Sequence, residues 1–413
     1  MHVETIIVGG GQAGLATSYH LTLRGREHVV LERAARVGHA WRAARWDSFT
    51  LVTPNWSFRL PGAEYDGDAP GAYMPRDEIV ARLERYAERY RMPIHPDTEV
   101  RSVQRREERG DYLVETDGGD WEARNVVVAT GLYQKNRIPP YASGIDASIA
   151  QVPSGHYRNP QALEPGGVLV VGTGQSGCQI AEELYRAGRT VYLSVGGAGR
   201  VPRRYRGRDA FDWLHLAGFF DRTPDMLPSP HARFAPIPHV TGQGGGRTLN
   251  LHRFARDGVV LLGHLREARE GRVWLAPDLA ESLTRADEIE AQLTGLIDAY
   301  IAGNGLDAPP ESLPRLRDGY PDEEVLDLDL HAAGVSTVIW AAGHTFDYSL
   351  VRLPILDADG YPVQTRGATA YPGLYVVGLP WLTKFKSGLF LGVGEDAEAV
   401  ATAIDEAGRK DAR

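Results

Sequence analysis

The chain has 413 residues, enough for two domains with their own cores and no need of disulfides or structural metals. Hydrophobic residues make up 43% and charged residues 24%, and a formal charge of −9 argues against a nucleic-acid or anionic-membrane surface. The single cysteine, Cys178, leaves no intrachain disulfide and no Cys-x-x-Cys redox pair, which sets disulfide reductases aside.

Strand-like apolar residues begin at Thr5, which leaves no room for a secretory leader, and every apolar run is far shorter than the roughly 20 residues of a membrane helix. A cytoplasmic protein is expected. After Thr5–Val8, Gly9-Gly10-Gly11-Gln12-Ala13-Gly14 spells Gly-x-Gly-x-x-Gly, and Leu15–Leu23 reads as a helix closed by Gly25. Only glycine permits both the sharp turn and close approach of backbone N–H groups to a pyrophosphate. The next strand, His28–Leu31, is followed by Glu32 and Arg33, and an acidic residue 32 − 14 = 18 positions after the last glycine suits a free ribose 2′-hydroxyl. Gly9, Gly11, Gln12, Ala13, Gly14, Glu32 and Arg33 are therefore expected to hold a dinucleotide without a 2′-phosphate.

Residues 38–62, GHAWRAARWDSFTLVTPNWSFRLPG, are not helix-periodic and carry three tryptophans. Trp41 is expected to wall a flavin ring and Arg42 to meet a pyrophosphate or a nicotinamide, with Asn55 beside them as the third reactive-side residue. Arg76–Tyr90 reads as a plain amphipathic helix. NVVVATG at 125–131 ends a strand in Ala129-Thr130-Gly131, small residues that permit close passage past a cofactor.

The first plan then recurs: strand Val168–Val171, Gly172-Thr173-Gly174-Gln175-Ser176-Gly177, a helix through Tyr185, and Gly188. The copies lie 172 − 9 = 163 residues apart, the size of a domain. Where the first has Glu32 the second is read as having Ser194, followed by Arg200, Arg203, Arg204 and Arg206. A carboxylate would repel a 2′-phosphate and Arg grips one through paired hydrogen bonds, so Ser194, Arg200, Arg203 and Arg204 are expected to select NADPH. Two loops of different preference imply a flavin dinucleotide at one and the nicotinamide that reduces it at the other.

Beyond Gly207 the pattern is less regular, and residues 207–327 are a candidate substrate-side lid. VIWAAG at 338–343, ending in Gly343, and GLYVVGLP at 373–380, with Gly378, are read as further turns of the flavin domain. A helix from about Val393 to Ala407 is placed to face a flavin edge, with Lys384 or Lys386 adding positive charge. No metal-ligand spacing, nucleophile elbow or P-loop appears.

The segments IIVGGGQAG, AWRAARWDSFTLVTPNWSFRLPG, VVVATG, VVGTGQSG and GLYVVGLPWL resemble the class B flavoprotein monooxygenases, and more closely their short bacterial and YUCCA-type members. The resemblance implies an α/β, two-dinucleotide-binding flavoprotein: an FAD Rossmann-like domain over 1–160 and 330–413, with an inserted NADPH Rossmann-like domain over 161–329. It also implies FAD at the first loop, NADPH at the second and O2 as third reactant. Such enzymes form a flavin C4a-peroxide and pass one oxygen atom to a soft nucleophile or a carbonyl of a small substrate, here expected to be lipophilic. The family's Phe-x-Gly-x-x-x-His fingerprint is absent, with Ala147, Ile149 and Pro153 at its positions and His156 out of register. An NADPH-dependent flavin reductase and a redox-sensing FAD/NADPH module are the alternatives, and a homodimer is left open.

Overall fold

Near-continuous runs of Val, Ile and Leu suit strands buried on both faces. The computed structural model, which describes residues 1–131 and 133–411, sets these runs in two separate sheets. The first runs Ile94–His95, His28–Leu31, His2–Val8, Trp121–Val128, Asp111–Thr116, Val100–Arg106, and Leu374–Val376 also pairs with the far half of Trp121–Val128. Its strands around His2–Val8 are parallel, and Asp111–Thr116 and Val100–Arg106 fold back antiparallel.

The second sheet is wholly parallel: Ala150–Pro153, Val335–Trp340, Gly167–Val171, Val191–Ser194, Val260–Leu262. It thus starts earlier and ends later in the chain than the expected insertion of 161–329. VIWAAG belongs here and not to the flavin sheet, because Val338–Trp340 pairs with Leu169–Val171. The chain crosses between the bodies at a two-stranded ribbon in which His344 pairs with Asn136 and Thr345 with Lys135.

Helices follow from local signals. Arg76–Arg89 starts after Pro75 with Asp77 and Glu78 in its first turn, where they offset the helix dipole, and buries Ile79, Leu83 and Tyr86 on one face. The region 207–327 is more ordered than its sequence suggests. It holds helices Ala210–Leu216, Leu251–Arg256 and Leu279–Gly303, and a three-stranded antiparallel sheet of Leu265–Arg269, Arg272–Leu275 and Asp327–Asp329. One hydrophobic cluster reaches from Leu15 and Val30 under the first sheet, through Trp46 and Tyr157, to Val170 and Ile180 of the second. Burial of each such side chain contributes about 1.5–3 kcal/mol, so the two bodies share a core. Among the described residues no helix is long and apolar enough to cross a membrane, and no group of three or more His, Cys, Asp or Glu could hold a metal.

Candidate functional site

The two glycine loops have matching geometry. Gly9 and Gly172 sit at φ 111° and 106°, and a Cβ on either would come within 2.7 and 2.6 Å of the carbonyl oxygens of Ala129 and Ala341. A Cβ at Gly14 would overlap the Gly9 oxygen, and one at Gly177 the Gly172 oxygen. Those four glycines serve chain packing. Gly11 and Gly174 differ: a Cβ there meets nothing within 4 Å. Each is the N-cap of its helix, Gln12–Leu23 or Gln175–Arg186, and neither helix has a side-chain cap or an acidic first turn. Backbone N–H groups at both helix ends are thus free for a diphosphate.

The strand beside each loop ends alike. Val8 pairs with Val128 before Ala129-Thr130-Gly131, and Val171 pairs with Trp340 before Ala341-Ala342-Gly343. Gly131 and Gly343 both take positive φ, 84° and 92°. Gly343 therefore serves the second loop as Gly131 serves the first. Thr130 accepts a hydrogen bond from Gln134 at 2.6 Å, and Gly378, φ 78°, is small because Ala13 packs against it.

Glu32 is buried, its carboxylate accepting from the N–H groups of Gly10 at 2.7 Å and Ala34 at 2.9 Å, while Arg33 beside it is exposed. The pinned carboxylate keeps lone pairs for a ribose. In the second copy the expected counterpart, Ser194, is displaced by one. Gly172 donates to the carbonyl of Ser194 as Gly9 does to that of Leu31, so Val195 stands where Glu32 does. The Ser194 hydroxyl donates to Gly263 at 2.9 Å and accepts from Leu265 at 3.1 Å, both partners lying within the protein. The tether is reversed too: the Thr173 hydroxyl, on the loop, accepts from Gly196 at 2.8 Å.

Two of the three arginines expected to grip a phosphate, Arg200 and Arg203, are consumed inside the protein. Buried Arg200 pairs with Asp287 at 2.6 Å and Glu290 at 2.7 Å. Buried Arg203 pairs with Asp209 and donates to the Val52 carbonyl at 2.7 Å, latching the inserted body onto residues 52–73 through the Tyr73 ring. Arg206 pairs with Asp298, and only Arg204 is exposed, donating to Gly207. The groups beside Gly196 and Gly197 come from elsewhere: His264 Nε2 lies 3.8 Å from a Cβ built on Gly196, and Arg285 Nη1 lies 3.4 Å from one built on Gly197. His264 Nδ1 is 2.9 Å from Asp278. Neither had a local sequence signal.

Between the loops, Gln12 links outward: its amide donates to the Gly388 carbonyl at 2.8 Å and its oxygen accepts from Trp41 Nε1 at 3.0 Å. Trp41 stacks on Phe390, centroids 5.3 Å apart. Arg42 points away, held by Glu84 at 2.5 Å on the helix Arg76–Arg89. Asn55 is buried, donates to Ala69 at 3.0 Å, and has an Oδ1 without a partner. Trp46 is core, and Trp56 donates to Asp212 at 2.7 Å. Lys386 is buried between Asp221 and Glu395, at 2.9 and 2.5 Å, and Lys384 meets the same two acids, so neither lysine is free for a flavin edge.

Arg45 takes the place sequence reasoning gave Arg42. Its guanidinium lies 5.2, 5.4 and 5.1 Å from the ring centroids of Trp41, Phe49 and Tyr133. Tyr133 is 5.1 Å from the ring of His344, which directly follows Gly343. Burial, and then Arg45, hold the His344 imidazole down at about 4, so it is neutral at pH 7. A continuous path, Gln12–Trp41–Arg45–Tyr133–His344, thus joins the two loops.

At the fingerprint position, Pro153 ends the strand Ala150–Pro153 and His156 is exposed, whereas Arg158 donates to the carbonyls of Ala43 and Arg45, the latter at 3.1 Å. The candidate lid is tied to the second loop and its helix: Gln175 exchanges hydrogen bonds with Val240, Thr241 donates to Gln179 at 3.2 Å and Arg247 pairs with Glu182 at 3.0 Å, while Gln243 donates to the Ser48 carbonyl at 3.0 Å. Cys178 is fully buried, its thiol donating to Thr173 at 3.3 Å, and burial raises its pKa strongly.

Residues 6–206 match the family described as pyridine nucleotide-disulphide oxidoreductase. The chain is 34% identical over 402 residues to an uncharacterized CzcO-like oxidoreductase of Geobacillus kaustophilus, covering 96% of both. It is 30% identical over 209 residues to the probable indole-3-pyruvate monooxygenase YUCCA1 of Arabidopsis thaliana, covering 50% of each. Its fold is similar to that of a flavin-containing monooxygenase from Stenotrophomonas maltophilia, at a TM-score of 0.67 and 20% identity over 98% of this chain and 99% of that one.

Proposed function

The chain belongs to the CzcO-like oxidoreductases of the class B flavoprotein monooxygenase family, and from that membership we propose that it is an FAD-containing, NADPH-dependent monooxygenase placing one oxygen atom of O2 on a small lipophilic substrate. The observation that carries the reading is the unequal pair of loops, one with a pinned carboxylate and one with Val195 in its place, joined by an aromatic path. Bound FAD supplies the electron and O2 chemistry that no side chain here offers.

The chain's own work is binding, orientation and exclusion of water. Gly11 and its helix end take the FAD diphosphate and Glu32 the ribose hydroxyls, a fit supported by the open cradle at Gly11 and the free lone pairs of Glu32. Gly174 and its helix do the same for NADPH, while Arg285 and His264 take the 2′-phosphate beside Gly196 and Gly197. Trp41, Phe49 and Phe390 form a water-excluding wall, and the buried Oδ1 of Asn55, without a protein partner, is left as an acceptor for a cofactor or substrate donor.

Turnover of the FAD-loaded protein with NADPH under ¹⁸O2 tests the reading, with one labelled oxygen in product per NADPH as the expected result. Stoichiometric hydrogen peroxide with every substrate would favour the reductase alternative, to which Pro153 in place of a fingerprint imidazole lends some weight.

A further inference from the structure

Guanidiniums gathered around one cavity repel one another, a cost that a bound anion removes. A cavity of about 380 Å³ opens between the second half of helix Gln175–Arg186, helix Leu251–Arg256 and the chain at 203–204 and 246–250. Five of its twelve lining residues are arginines: Arg186, Arg203, Arg204, Arg247 and Arg253. Glu182 and Asp257 are the carboxylates of the lining, and Asp209, outside it, pairs with Arg203. Five guanidiniums thus stand against three carboxylates, in a chain whose formal charge is −9.

The acids orient the arginines more than they neutralise them. Buried Glu182 meets Arg247 through Nε at 3.1 Å and Nη2 at 3.0 Å, and Arg186 through Nε at 3.3 Å, so one carboxylate answers two cations and leaves N–H groups on both. Asp257 accepts from the Tyr185 hydroxyl at 3.3 Å. Arg204 and Arg253 are exposed, and among the described residues no carboxylate lies within ion-pair reach of either. Buried Arg203 sets a fixed charge in the wall, and its Nε has no partner. The cavity is apart from the second glycine loop. Glu182 lies about 10 Å along the helix from Gln175, and Gly196, Gly197, His264 and Arg285 take no part in the lining.

We propose that this cavity is a further anion site, outside both dinucleotide sites, for a small molecule carrying a diphosphate or two phosphate groups. A carboxylate offers two oxygens in one plane and suits a single guanidinium, whereas a phosphate offers three acceptor oxygens in different directions. Arginines that arrive from both helices and from the chain between them match the second pattern. The volume is that of a metabolite site. The half-buried ring of Tyr185, edge-on to Phe254 at 5.2 Å, gives the organic part of such a molecule an apolar side.

The test uses FAD-loaded protein saturated with NADP⁺, so that both glycine loops are filled. It is titrated calorimetrically, at constant ionic strength, with inorganic pyrophosphate, fructose 1,6-bisphosphate and malonate. Pyrophosphate is expected to bind one to one, at least about tenfold more tightly than malonate. Arg204→Gln with Arg253→Gln should weaken pyrophosphate about tenfold or more while Tm without the anion and NADP⁺ affinity stand, because both side chains are exposed. Arg285→Ala should leave pyrophosphate binding as it is. Tighter binding of the bisphosphate than of pyrophosphate supports a phosphorylated metabolite as the occupant, and the reverse supports the free inorganic anion. No saturable binding, equal affinity for malonate, or pyrophosphate binding that survives the double substitution would overturn the proposal. So would a double variant that loses NADP⁺ affinity and keeps pyrophosphate, since Arg204 would then serve the cofactor. The titration needs neither O2 nor turnover, so its outcome is separate from that of the oxygen-transfer experiment.

Discussion

Gly172 donates its N–H to the carbonyl of Ser194 at 3.0 Å, in the same way that Gly9 donates to Leu31 at 2.9 Å, and this pair fixes Val195 as the structural equivalent of Glu32. An apolar side chain thus occupies the one position where a carboxylate would select against a 2′-phosphate. Val195→Glu is expected to move the protein toward NADH, through repulsion of the phosphate. Dissociation constants for NADP⁺ and NAD⁺ check this, and an unchanged ratio would contradict it.

Arg285 and Arg203 should respond in opposite ways. Arg285 pairs only with the exposed Glu281 at 2.7 Å, and on the proposed role Arg285→Ala removes a phosphate contact worth roughly 1.5–3 kcal/mol, so affinity for 2′,5′-ADP should fall about tenfold to a hundredfold with little change in Tm. Arg203→Ala strands Asp209 and the Val52 carbonyl in the interior, at a cost of about 3–5 kcal/mol. Its Tm should fall markedly while selectivity between NADPH and NADH is kept. Calorimetry of both variants separates the roles.

The glycines of the first loop divide in the same manner. Gly14→Ala drives a methyl group into the Gly9 carbonyl and should lower both flavin content and the Tm of the apoprotein. Gly11→Ala meets no protein atom within 4 Å, so it should lower flavin content and leave the apoprotein's Tm alone. Absorbance and thermal melts of the two apoproteins decide this.

Cys178 is expected to be silent. A fully buried thiol with a strongly raised pKa offers almost no thiolate. Native protein should show no reaction with a disulfide reagent at pH 8 and one thiol after denaturation, and Cys178→Ala should reduce its flavin with NADPH at the wild-type rate. Rapid labelling of the native protein would point instead to thiol chemistry.

His239 gives stability a slope on the acid side. Burial, then Arg200, depresses its pKa from 6.5 to about 4. Below pH 6.5 the unfolded chain binds a proton that the folded one refuses, so the stabilisation present above pH 6.5 is lost as pH falls toward 4, by up to ~3 kcal/mol. Tm measured from pH 7 to 4.5 should decline, and His239→Gln should flatten the decline. Parallel curves would exclude His239 as the source.

Glycine spacing made the loops legible because covalent geometry leaves few other residues able to make those turns, and the strand, loop and helix at the centre of each sheet follow from that repeat, whereas Ala150–Pro153 and Val335–Trp340 of the second sheet do not. The position after Gly177 was legible too: 32 − 14 = 18 and 195 − 177 = 18, so the same count arrives at Val195. Ser194 is the apparent end of the strand, a boundary that is soft by a residue or two. The arginines misled for a different reason. The partners of Arg200, Asp287 and Glu290, and that of Arg206, Asp298, lie on a helix more than 80 positions away, where no local pattern reveals the pairing, whereas Arg203 is taken by Asp209 only six positions on. Likewise Arg42 and Arg45 are three residues apart in one polar stretch. Only the short helix His39–Ala43 and the acid at Glu84 decide which one turns toward the junction.

The reversed tether has a consequence for residence. In the first loop a single carboxylate fastens Gly10 and is the group proposed to take the ribose, so the loop's closure and its guest would depend on one side chain. In the second, the Thr173 hydroxyl ties Gly196 entirely within the protein, through a group with no expected part in holding a guest. A resident molecule suits the first arrangement and a visitor that enters and leaves on each cycle suits the second, so slow exchange at the first berth and fast exchange at the second are the expected outcome.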